Sequence, residues 1–229
     1  TERCFEQIKD VFCYQNTGGN IISVGSAFDY SGLGCTHHTY SDIEIIRSLP
    51  NTEVVYPTSP KELEVLFKHC FNNGKLTYFR LPERKHTLQI DESLIKFGKG
   101  IIVKEGTDVT LVVSGPQVDN AVKASEVLKK GGINTEIIYI HTIKPIDREL
   151  LIESARKTNK VLTIEEASMR GGLGDEVSMV LGSLGGVELH RAGIGDNFIN
   201  YYGSYDDLCK LCGLNSEGIA DKIKSIVEK

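Results

Sequence analysis

The chain has 229 residues, of which 40% are hydrophobic and 25% charged, as in a globular protein of one or two domains. Its net charge of −5, with no basic block, disfavours a nucleic-acid or anionic-membrane partner. No apolar run approaches the ~20 residues of a membrane span, and no signal peptide opens the chain, so we expect a cytoplasmic protein. The sequence begins at Thr1 in helix-like sequence, which indicates an incomplete start.

Short runs of β-branched residues alternate with helical patterns along the whole chain. Several runs, such as Val-Thr-Leu-Val-Val, are continuously apolar, which is typical of parallel strands covered on both faces. The predicted strands are Asn20–Val24, Glu53–Tyr56, Leu76–Arg80, Asp108–Ser114, Thr135–His141, Lys160–Glu165 and Val187–Arg191.

The intervening helices carry recognisable start and stop signals. Ser59, followed by Pro60 and three residues later by Glu62, predicts a helix start with proline at the first helical position. A second apolar stripe begins at Val118, and Gly131-Gly132 can end that helix in the left-handed conformation. Strand–helix–strand repetition predicts right-handed crossovers and a three-layer α/β fold.

The periodicity pauses between Leu81 and Gly100, where we place a domain boundary. We predict a first domain over residues 1–84, a linker over 85–100 and a second domain over 101–229. The first piece has only three predicted strands, few for a free-standing sheet, so we interpret it as the end of a domain whose start is missing. The second piece, with four strands, is expected to be a complete domain.

The six cysteines form no short disulfide framework, and we interpret them as reduced thiols. Cys209 and Cys212 form a single CxxC motif with no second pair and no nearby histidine. This spacing places both on one helical face, and a structural role is favoured over a metal site. We therefore predict no metal ligands in this chain.

A long glycine-containing loop, residues 25–38, follows the first predicted strand. In open parallel sheets, ligands bind at the carboxyl ends of the strands, where this loop lies. His37 and His38 precede the next helix, where backbone N–H groups favour an anion. Arg80, at the end of another strand, is expected to converge on the same crevice and to hold a phosphate or carboxylate. From spacing alone, packing of the loop remains an alternative for the two histidines.

An ordered set of short motifs gives the whole chain a resemblance to transketolases. The motifs include Gly34-Cys-Thr-His-His, Tyr56-Pro-Thr-Ser, Phe79-Arg-Leu-Pro, Lys144-Pro-Ile-Asp and Gly171-Gly-Leu-Gly. The chain resembles split transketolases and 1-deoxyxylulose-5-phosphate synthases. The resemblance implies a partial pyrimidine-binding domain followed by a complete transketolase C-terminal domain.

The resemblance also implies an activity: transfer of a two-carbon (ketol) unit with thiamine diphosphate and Mg²⁺. It implies that His37 is the catalytic histidine and that Arg80, Arg3, Leu33 and His38 lie at the substrate. The cofactor-binding residues are expected upstream of Thr1, in an N-terminal half or subunit. A homodimer acting on a sugar phosphate or keto acid is expected, and this chain by itself is expected to be inactive.

Two departures from the family pattern bear on specificity. The aspartate that contacts a substrate hydroxyl in the family is Leu33 here, and a histidine that follows the first strand is Gly25. Leucine offers no acceptor, so we expect a substrate that is apolar at that point. The alternative is that Leu33 packs into the loop and that His38 or Asp29 holds the hydroxyl.

Other patterns favour structural roles. For Glu165-Glu166, a surface or interface role is favoured over an acid/base pair, because no partner base is evident. For Gly171-Gly-Leu-Gly174, close helix packing is favoured over a phosphate loop, because the GxGxxG spacing is absent.

Three functional alternatives remain open. A decarboxylating synthase of the deoxyxylulose-phosphate type is one, and a dimerising module without its own activity is another. The β component of a 2-oxo-acid dehydrogenase is disfavoured by the Gly34-Cys-Thr-His-His pattern.

Overall fold

The computed structural model describes residues 1–228, so Lys229, the last residue of the predicted second domain, lies outside the described residues. Helical residues 2–14 open the chain and include α1 (Phe5–Gln7) and a π-helical segment (Ile8–Tyr14). The other helices are α2 (Asp42–Arg47), α3 (Pro60–Cys70), α4 (Gln117–Lys130), α5 (Arg148–Thr158), α6 (Leu173–Leu181), α7 (Tyr205–Leu211) and α8 (Ser216–Val227). The strands are β1 (Gly19–Val24), β2 (Thr52–Val55), β3 (Leu76–Leu81), β4 (Ile101–Lys104), β5 (Val109–Ser114), β6 (Thr135–Ile140), β7 (Thr142–Lys144), β8 (Lys160–Ser168) and β9 (Glu188–Ile194).

The strands form two mixed, mainly parallel sheets. The first has the order β1-β3-β2-β7, in which β7 runs antiparallel to β2. The second has the order β4-β6-β5-β8-β9, in which β4 runs antiparallel to β6. The α/β class is confirmed.

Each sheet has helices on both faces, as the three-layer prediction requires. In the first sheet, Val54 and Tyr78 face residues 2–14 and α2, whereas Val55 and Phe79 face α3. In the second, α4 and α8 contribute to one core cluster, and α5 and α6 to the other. One cluster contains residues from both sheets, so the two pieces share a core.

Two strands were missed by the sequence analysis: β4 has four residues and β7 three. β4 adds an antiparallel edge to the second sheet. β7 belongs in sequence to the second piece but pairs with β2 of the first. The second piece therefore extends the first sheet across the expected boundary. The expected linker is largely irregular, yet His86 and Ile95 within it are buried.

The local signals at the helix ends have clear structural counterparts. The Ser59 side chain accepts a hydrogen bond from the Glu62 N–H at 3.2 Å and caps α3. Gly132 has a φ of +86° after α4, the left-handed conformation that glycine adopts without strain. Within residues 1–228, no helix is long and apolar enough to cross a membrane.

Candidate functional site

The predicted loop follows β1 at the carboxyl edge of the first sheet and begins at Gly25. Gly25 has a φ of +94°, and a Cβ there would lie 2.6 Å from the Tyr30 ring. Any other side chain, including the histidine of the family pattern, would be strained and would collide with Tyr30. The path of this loop therefore depends on glycine at position 25.

Asp29 fixes the start of the loop. One of its carboxylate oxygens accepts hydrogen bonds from the Ser26 N–H at 2.6 Å and from the Glu83 N–H at 2.9 Å. These bonds tie the loop to the segment that follows β3. Because the Asp29 carboxylate accepts these backbone hydrogen bonds, it is less available to hold a substrate hydroxyl.

His37 and His38 have different surroundings. The His37 ring is exposed, and its Nδ1 lies 3.0 Å from the Thr36 hydroxyl, so Nε2 points away from that contact. His38 is only 9% exposed; its Nδ1 contacts the Tyr40 hydroxyl, and its Nε2 has no hydrogen-bond partner within residues 1–228. Burial lowers the pKa of His38, which favours a neutral imidazole. Of the two, His37 is the one that a ligand can reach.

Leu33 ends a short 3₁₀ turn (Ser31–Leu33) and is 54% exposed. This exposure favours a Leu33 side chain that faces outward over one that packs into the loop. The next residue, Gly34, has a φ of +78°, and a Cβ there would lie 2.5 Å from the Tyr202 ring. Leu33 and Tyr202 thus present neighbouring apolar surface at the mouth of the loop.

Arg80 lies in β3 as predicted, but its guanidinium is completely buried. Its Nε donates to Asp42 at 2.8 Å, and its Nη2 donates to the Thr39 carbonyl at 2.8 Å. The guanidinium also lies 4.7 Å from the centre of the Tyr56 ring. Burial is the largest single effect and opposes the charge of Arg80, but the acidic groups around it, Asp42 foremost, together raise the pKa. An anion would have to displace these internal partners to reach Arg80.

Arg3 is exposed in the first helical turn. The carboxylate of its neighbour Glu2 accepts a hydrogen bond from the Ser41 hydroxyl at 2.5 Å. This bond places the first turn beside the start of α2. Ser41 in turn lines a crevice of about 290 Å³ between the two pieces. The lining residues are Tyr40, Ser41, Glu44, Ser168, Ile194, Gly195, Asp196, Asn197 and Phe198.

Glu166, at the carboxyl end of β8, is the centre of a buried hydrogen-bond network that the sequence analysis did not predict. Its carboxylate accepts from Tyr56 at 3.2 Å and from the Gln117 amide at 3.2 Å. The hydroxyls of Ser26 and Tyr205 also contact it. Of the expected surface or interface role, the surface part is wrong, since Glu166 is 0% exposed. The sequence signal that could have identified this centre is the pair of carboxylates, Glu165 and Glu166, at the end of a mainly apolar strand.

Glu165 is also buried, at the N-terminus of α6. Its two oxygens accept from the Leu173 N–H at 2.6 Å and the Gly174 N–H at 2.8 Å. Burial raises the pKa of Glu165 to about 7, although these bonds oppose the shift. A Cβ on Gly172 would overlap the Glu165 carboxylate. The close-packing interpretation of Gly171-Gly-Leu-Gly174 is therefore confirmed.

The CxxC cysteines belong to the core and its margin. Cys209 is 1% exposed, and burial raises the pKa of its thiol to about 12. Burial also raises the pKa of Cys212 to about 11. Protonated, packed thiols agree with the structural role. No group of three or more His, Cys, Asp or Glu side chains in residues 1–228 is arranged to hold a metal ion.

The fold is that of an α/β protein with two parallel-rich sheets, and comparison with known proteins identifies its family. Residues 98–219 match the family described as transketolase, C-terminal domain. This segment is more than half of the chain, so the chain belongs to the transketolase C-terminal domain family.

Relatives of the chain include both split and full-length enzymes. It is 33% identical over 231 residues to a putative transketolase C-terminal section of Methanocaldococcus jannaschii, covering 99% of this chain and 72% of the relative. It is 32% identical over 237 residues to a 1-deoxy-D-xylulose-5-phosphate synthase of Pelotomaculum thermopropionicum, covering 100% of this chain but 36% of that protein.

A solved structure described as a split gene transketolase, inactive beta4 tetramer, matches with a TM-score of 0.89 at 29% identity. The match covers 99% of this chain and 72% of that one. The resemblance to transketolases inferred from the motifs is confirmed over both pieces of the chain.

Proposed function

We propose that this chain is the C-terminal part of a thiamine-diphosphate-dependent enzyme that transfers a two-carbon ketol unit from a ketose phosphate or keto acid to an aldehyde. The observation that carries the proposal is the likeness of 99% of the chain to a split gene transketolase, at a TM-score of 0.89. The matched relatives are longer than this chain. We assign the rest of the active site to the part of the enzyme that corresponds to their additional length.

The cofactor, when bound, supplies the carbanion chemistry that breaks and forms the carbon–carbon bonds. We assign the diphosphate and Mg²⁺ ligands to an N-terminal half or subunit, because residues 1–228 contain no cluster suited to a metal. The chain by itself is therefore inactive in this proposal. Its contribution is the loop after β1, with an exposed histidine at a strand end, the usual place for substrate contacts in such sheets.

His37 is the proposed catalytic residue, since its exposed ring can donate a hydrogen bond to a substrate oxygen or phosphate. The buried His38 stands behind it and supports the loop through Tyr40. Arg3 is a proposed substrate-binding residue at the edge of the site. Its place beside the start of α2 supports this assignment.

For Arg80, the geometry favours a positioning role over direct phosphate binding. Its Nη2 holds the Thr39 carbonyl, directly after the two histidines, and its Nε holds Asp42 in α2. Arg80 thereby fixes residues 39–42, the segment that directly follows the two histidines. A phosphate contact remains a prediction for the complete enzyme, where it requires a rearranged Asp42 pair.

The proposed assembly is a cytoplasmic homodimer of complete enzymes. Exposed apolar side chains near the site support such a contact: Val24 is 66%, Leu33 54%, Phe198 74% and Tyr202 71% exposed. Surfaces of this kind are typical of interfaces.

A decarboxylating synthase of the deoxyxylulose-phosphate type is the second candidate. It is favoured by the 32% identity to such a synthase across the whole chain. The two reactions differ in the donor: the synthase-type enzyme consumes pyruvate, whereas the transketolase-type enzyme consumes hydroxypyruvate or a ketose phosphate. A module that only dimerises would consume none of them.

His37→Ala in the complete enzyme tests the site. We expect kcat/KM to fall by about 30- to 1,000-fold, as for loss of a charge-assisted or transition-state hydrogen bond of ~2–4 kcal/mol, with the cofactor still bound. The control is His69→Ala, an exposed histidine on α3, on the other face of the sheet. Equal activity of the two variants would remove His37 from the site.

A further inference from the structure

The carboxyl end of β8 contacts both ends of the loop that presents His37. At the start of the loop, the Ser26 hydroxyl donates to the Glu166 carboxylate, and both side chains are at most 1% exposed. Just past the end of the loop, the Ser168 N–H donates to the Tyr40 carbonyl at 2.9 Å. Two residues of the second piece therefore bracket a loop that belongs to the first.

The backbone of Glu166 is tied to the same loop through Arg80. The guanidinium donates from Nη1 and from Nη2 to the Glu166 carbonyl, at 3.3 Å each, and Nη2 also donates to the Thr39 carbonyl at 2.8 Å. The Thr39 N–H in turn donates to the Ala27 carbonyl at 3.3 Å, which brings the two ends of the loop together. Glu166 thus reaches the start of the loop through its side chain and the end of the loop through its carbonyl.

The other partners of the Glu166 carboxylate hold it in one orientation. Gln117, at the start of α4, donates to Oε2 at 3.2 Å, and the Tyr205 hydroxyl, at the start of α7, donates to the same oxygen. Tyr56 donates to Oε1 at 3.2 Å, beside Ser26. An ionised carboxylate can accept all four bonds. Because unpaired buried polar groups are costly, the carboxylate cannot turn away from Ser26 without loss of stability.

Glu136 provides an internal comparison for this contact. It is also 0% exposed, and its carboxylate accepts a hydrogen bond from the Ser154 hydroxyl of α5. Glu136 lies near the start of β6, at the amino edge of the second sheet, and Ser154 belongs to the same piece. A buried serine–glutamate contact can therefore stabilise the fold without touching the loop after β1.

We propose that Glu166 is a positioning residue, which holds the loop after β1 through Ser26 and thereby places the His37 ring for contact with the substrate. Glu166 is completely buried, so it acts through the loop and does not touch the substrate itself. The inference rests on the proposed function for the role of His37. Misplacement of a contact residue by ~1 Å can lower the rate about 100-fold, so a hold of this kind has a measurable effect on turnover.

Two variants isolate the hold on the loop. Ser26→Ala removes the hydroxyl and leaves the other three donors to Glu166 in place. It also removes a 3.1 Å contact with Asp29, so Glu166→Gln, which leaves that contact intact, is the second variant. Ser154→Ala removes the comparable hydroxyl from Glu136 and is the matched control.

Amide hydrogen exchange on this chain tests whether Glu166 holds the loop. In Ser26→Ala and in Glu166→Gln, the amides of His37 and Thr39 should exchange about tenfold faster or more, because the loop opens more readily. Ser154→Ala should leave both amides unchanged. This measurement requires neither cofactor nor substrate.

Kinetics of the complete enzyme test whether the hold acts through His37. Ser26→Ala and Glu166→Gln should lower kcat/KM by about 10- to 100-fold, whereas Ser154→Ala should keep the wild-type value. In a His37→Ala background, Ser26→Ala should change kcat/KM less than about threefold, because the residue that it helps to place is gone. A contact that is merely structural would lower kcat/KM equally in both backgrounds.

The outcomes separate this inference from the proposed function. Faster exchange at His37 and Thr39 in an enzyme that transfers no ketol unit would support the hold on the loop while the proposed function fails. Ketol transfer with unchanged exchange in Ser26→Ala would overturn the positioning role. Equal losses of kcat/KM with and without the His37 ring would also overturn it, because Glu166 would then act on another group.

Discussion

At the scale of single residues, Leu33 carries the prediction about specificity. Its exposure at the mouth of the loop means that an acidic side chain there would reach solvent or substrate. Leu33→Asp in the complete enzyme should therefore shift the preference toward hydroxylated substrates, by roughly 5- to 150-fold for a hydrogen bond of ~1–3 kcal/mol. The measurement compares kcat/KM for one hydroxylated and one deoxy substrate, with Leu33→Ala as the control. An unchanged ratio would mean that position 33 does not contact the substrate.

The Arg80–Asp42 pair carries a prediction about stability. Both side chains are 0% exposed, so Arg80→Ala would leave a buried carboxylate without its cation. The free energy of unfolding should fall by about 3–5 kcal/mol, measured by urea denaturation. Arg80→Ala combined with Asp42→Ala should be less destabilised than the sum of the two single variants. A loss below ~1 kcal/mol for Arg80→Ala would contradict the buried pair.

Glu165 carries a prediction about pH. Its pKa of about 7 in the folded chain lies above that of an unfolded glutamate, so the folded state binds more protons between these values. Its contribution to stability is therefore present at low pH and is lost as the pH rises toward 7, by roughly 3 kcal/mol in total. Burial lowers the pKa of His141 to about 4, so this residue makes stability rise with pH below pH 6.5. The effect of Glu165 must therefore be isolated by comparison with a variant.

Glu165→Gln should remove this loss. As the pH rises from 5 to 8, the free energy of unfolding of the variant should increase relative to that of the wild type. The lost hydrogen bonds add a cost that does not change with pH. Exposed Glu153→Gln is the control and should keep the wild-type profile. Parallel stability curves for Glu165→Gln and wild type would show that Glu165 does not titrate in this range.

The sequence predicts which residues lie near the site, but it does not predict what their side chains contact. Gly25 and Arg80 were found because they lie at strand ends, and the two histidines because they lie in the loop that follows a strand; position along the chain is visible in the sequence. Whether a side chain faces a crevice or a buried partner is not visible. Asp42 and Glu166, the groups that decide the surroundings of Arg80 and Ser26, lie 38 and 140 residues away from them.

At the scale of elements, the helix signals permit a further prediction. Ser59→Ala should lower the stability of the chain by about 1 kcal/mol, because the Glu62 N–H loses its capping oxygen. Ser59→Asp, which keeps an acceptor, should restore most of the loss. The unfolding midpoint measures both. A midpoint for Ser59→Ala equal to wild type would show that the cap does not stabilise α3.

Seven strands were predictable because β-branched, mainly apolar runs bounded by glycine or polar residues are a strong local signal. Their ends shifted by a few residues only. β4 and β7 were not predictable in this way, since their pairing depends on distant neighbours. β7 pairs with Val54 and Val55 of β2, in the first piece of the chain, and no property of a three-residue segment indicates that.

At the scale of the whole molecule, β7 and the shared core join the two pieces to each other. The buried Glu166 network adds to this, because it joins Ser26 and Tyr56 of the first piece to Gln117 and Tyr205 of the second. The second piece thereby holds the loop after β1 in place. This arrangement gives the C-terminal domain a positioning function in the proposed active site.

The central claim is ketol transfer, and a donor screen on the complete enzyme tests it most directly. The enzyme is incubated with thiamine diphosphate, Mg²⁺ and an aldehyde acceptor, and consumption of hydroxypyruvate, ketose phosphates and pyruvate is followed separately. We predict that hydroxypyruvate or a ketose phosphate is consumed, with one ketol product formed for each donor, and that pyruvate is not. Consumption of pyruvate alone, or of no donor, would contradict a transketolase-type activity.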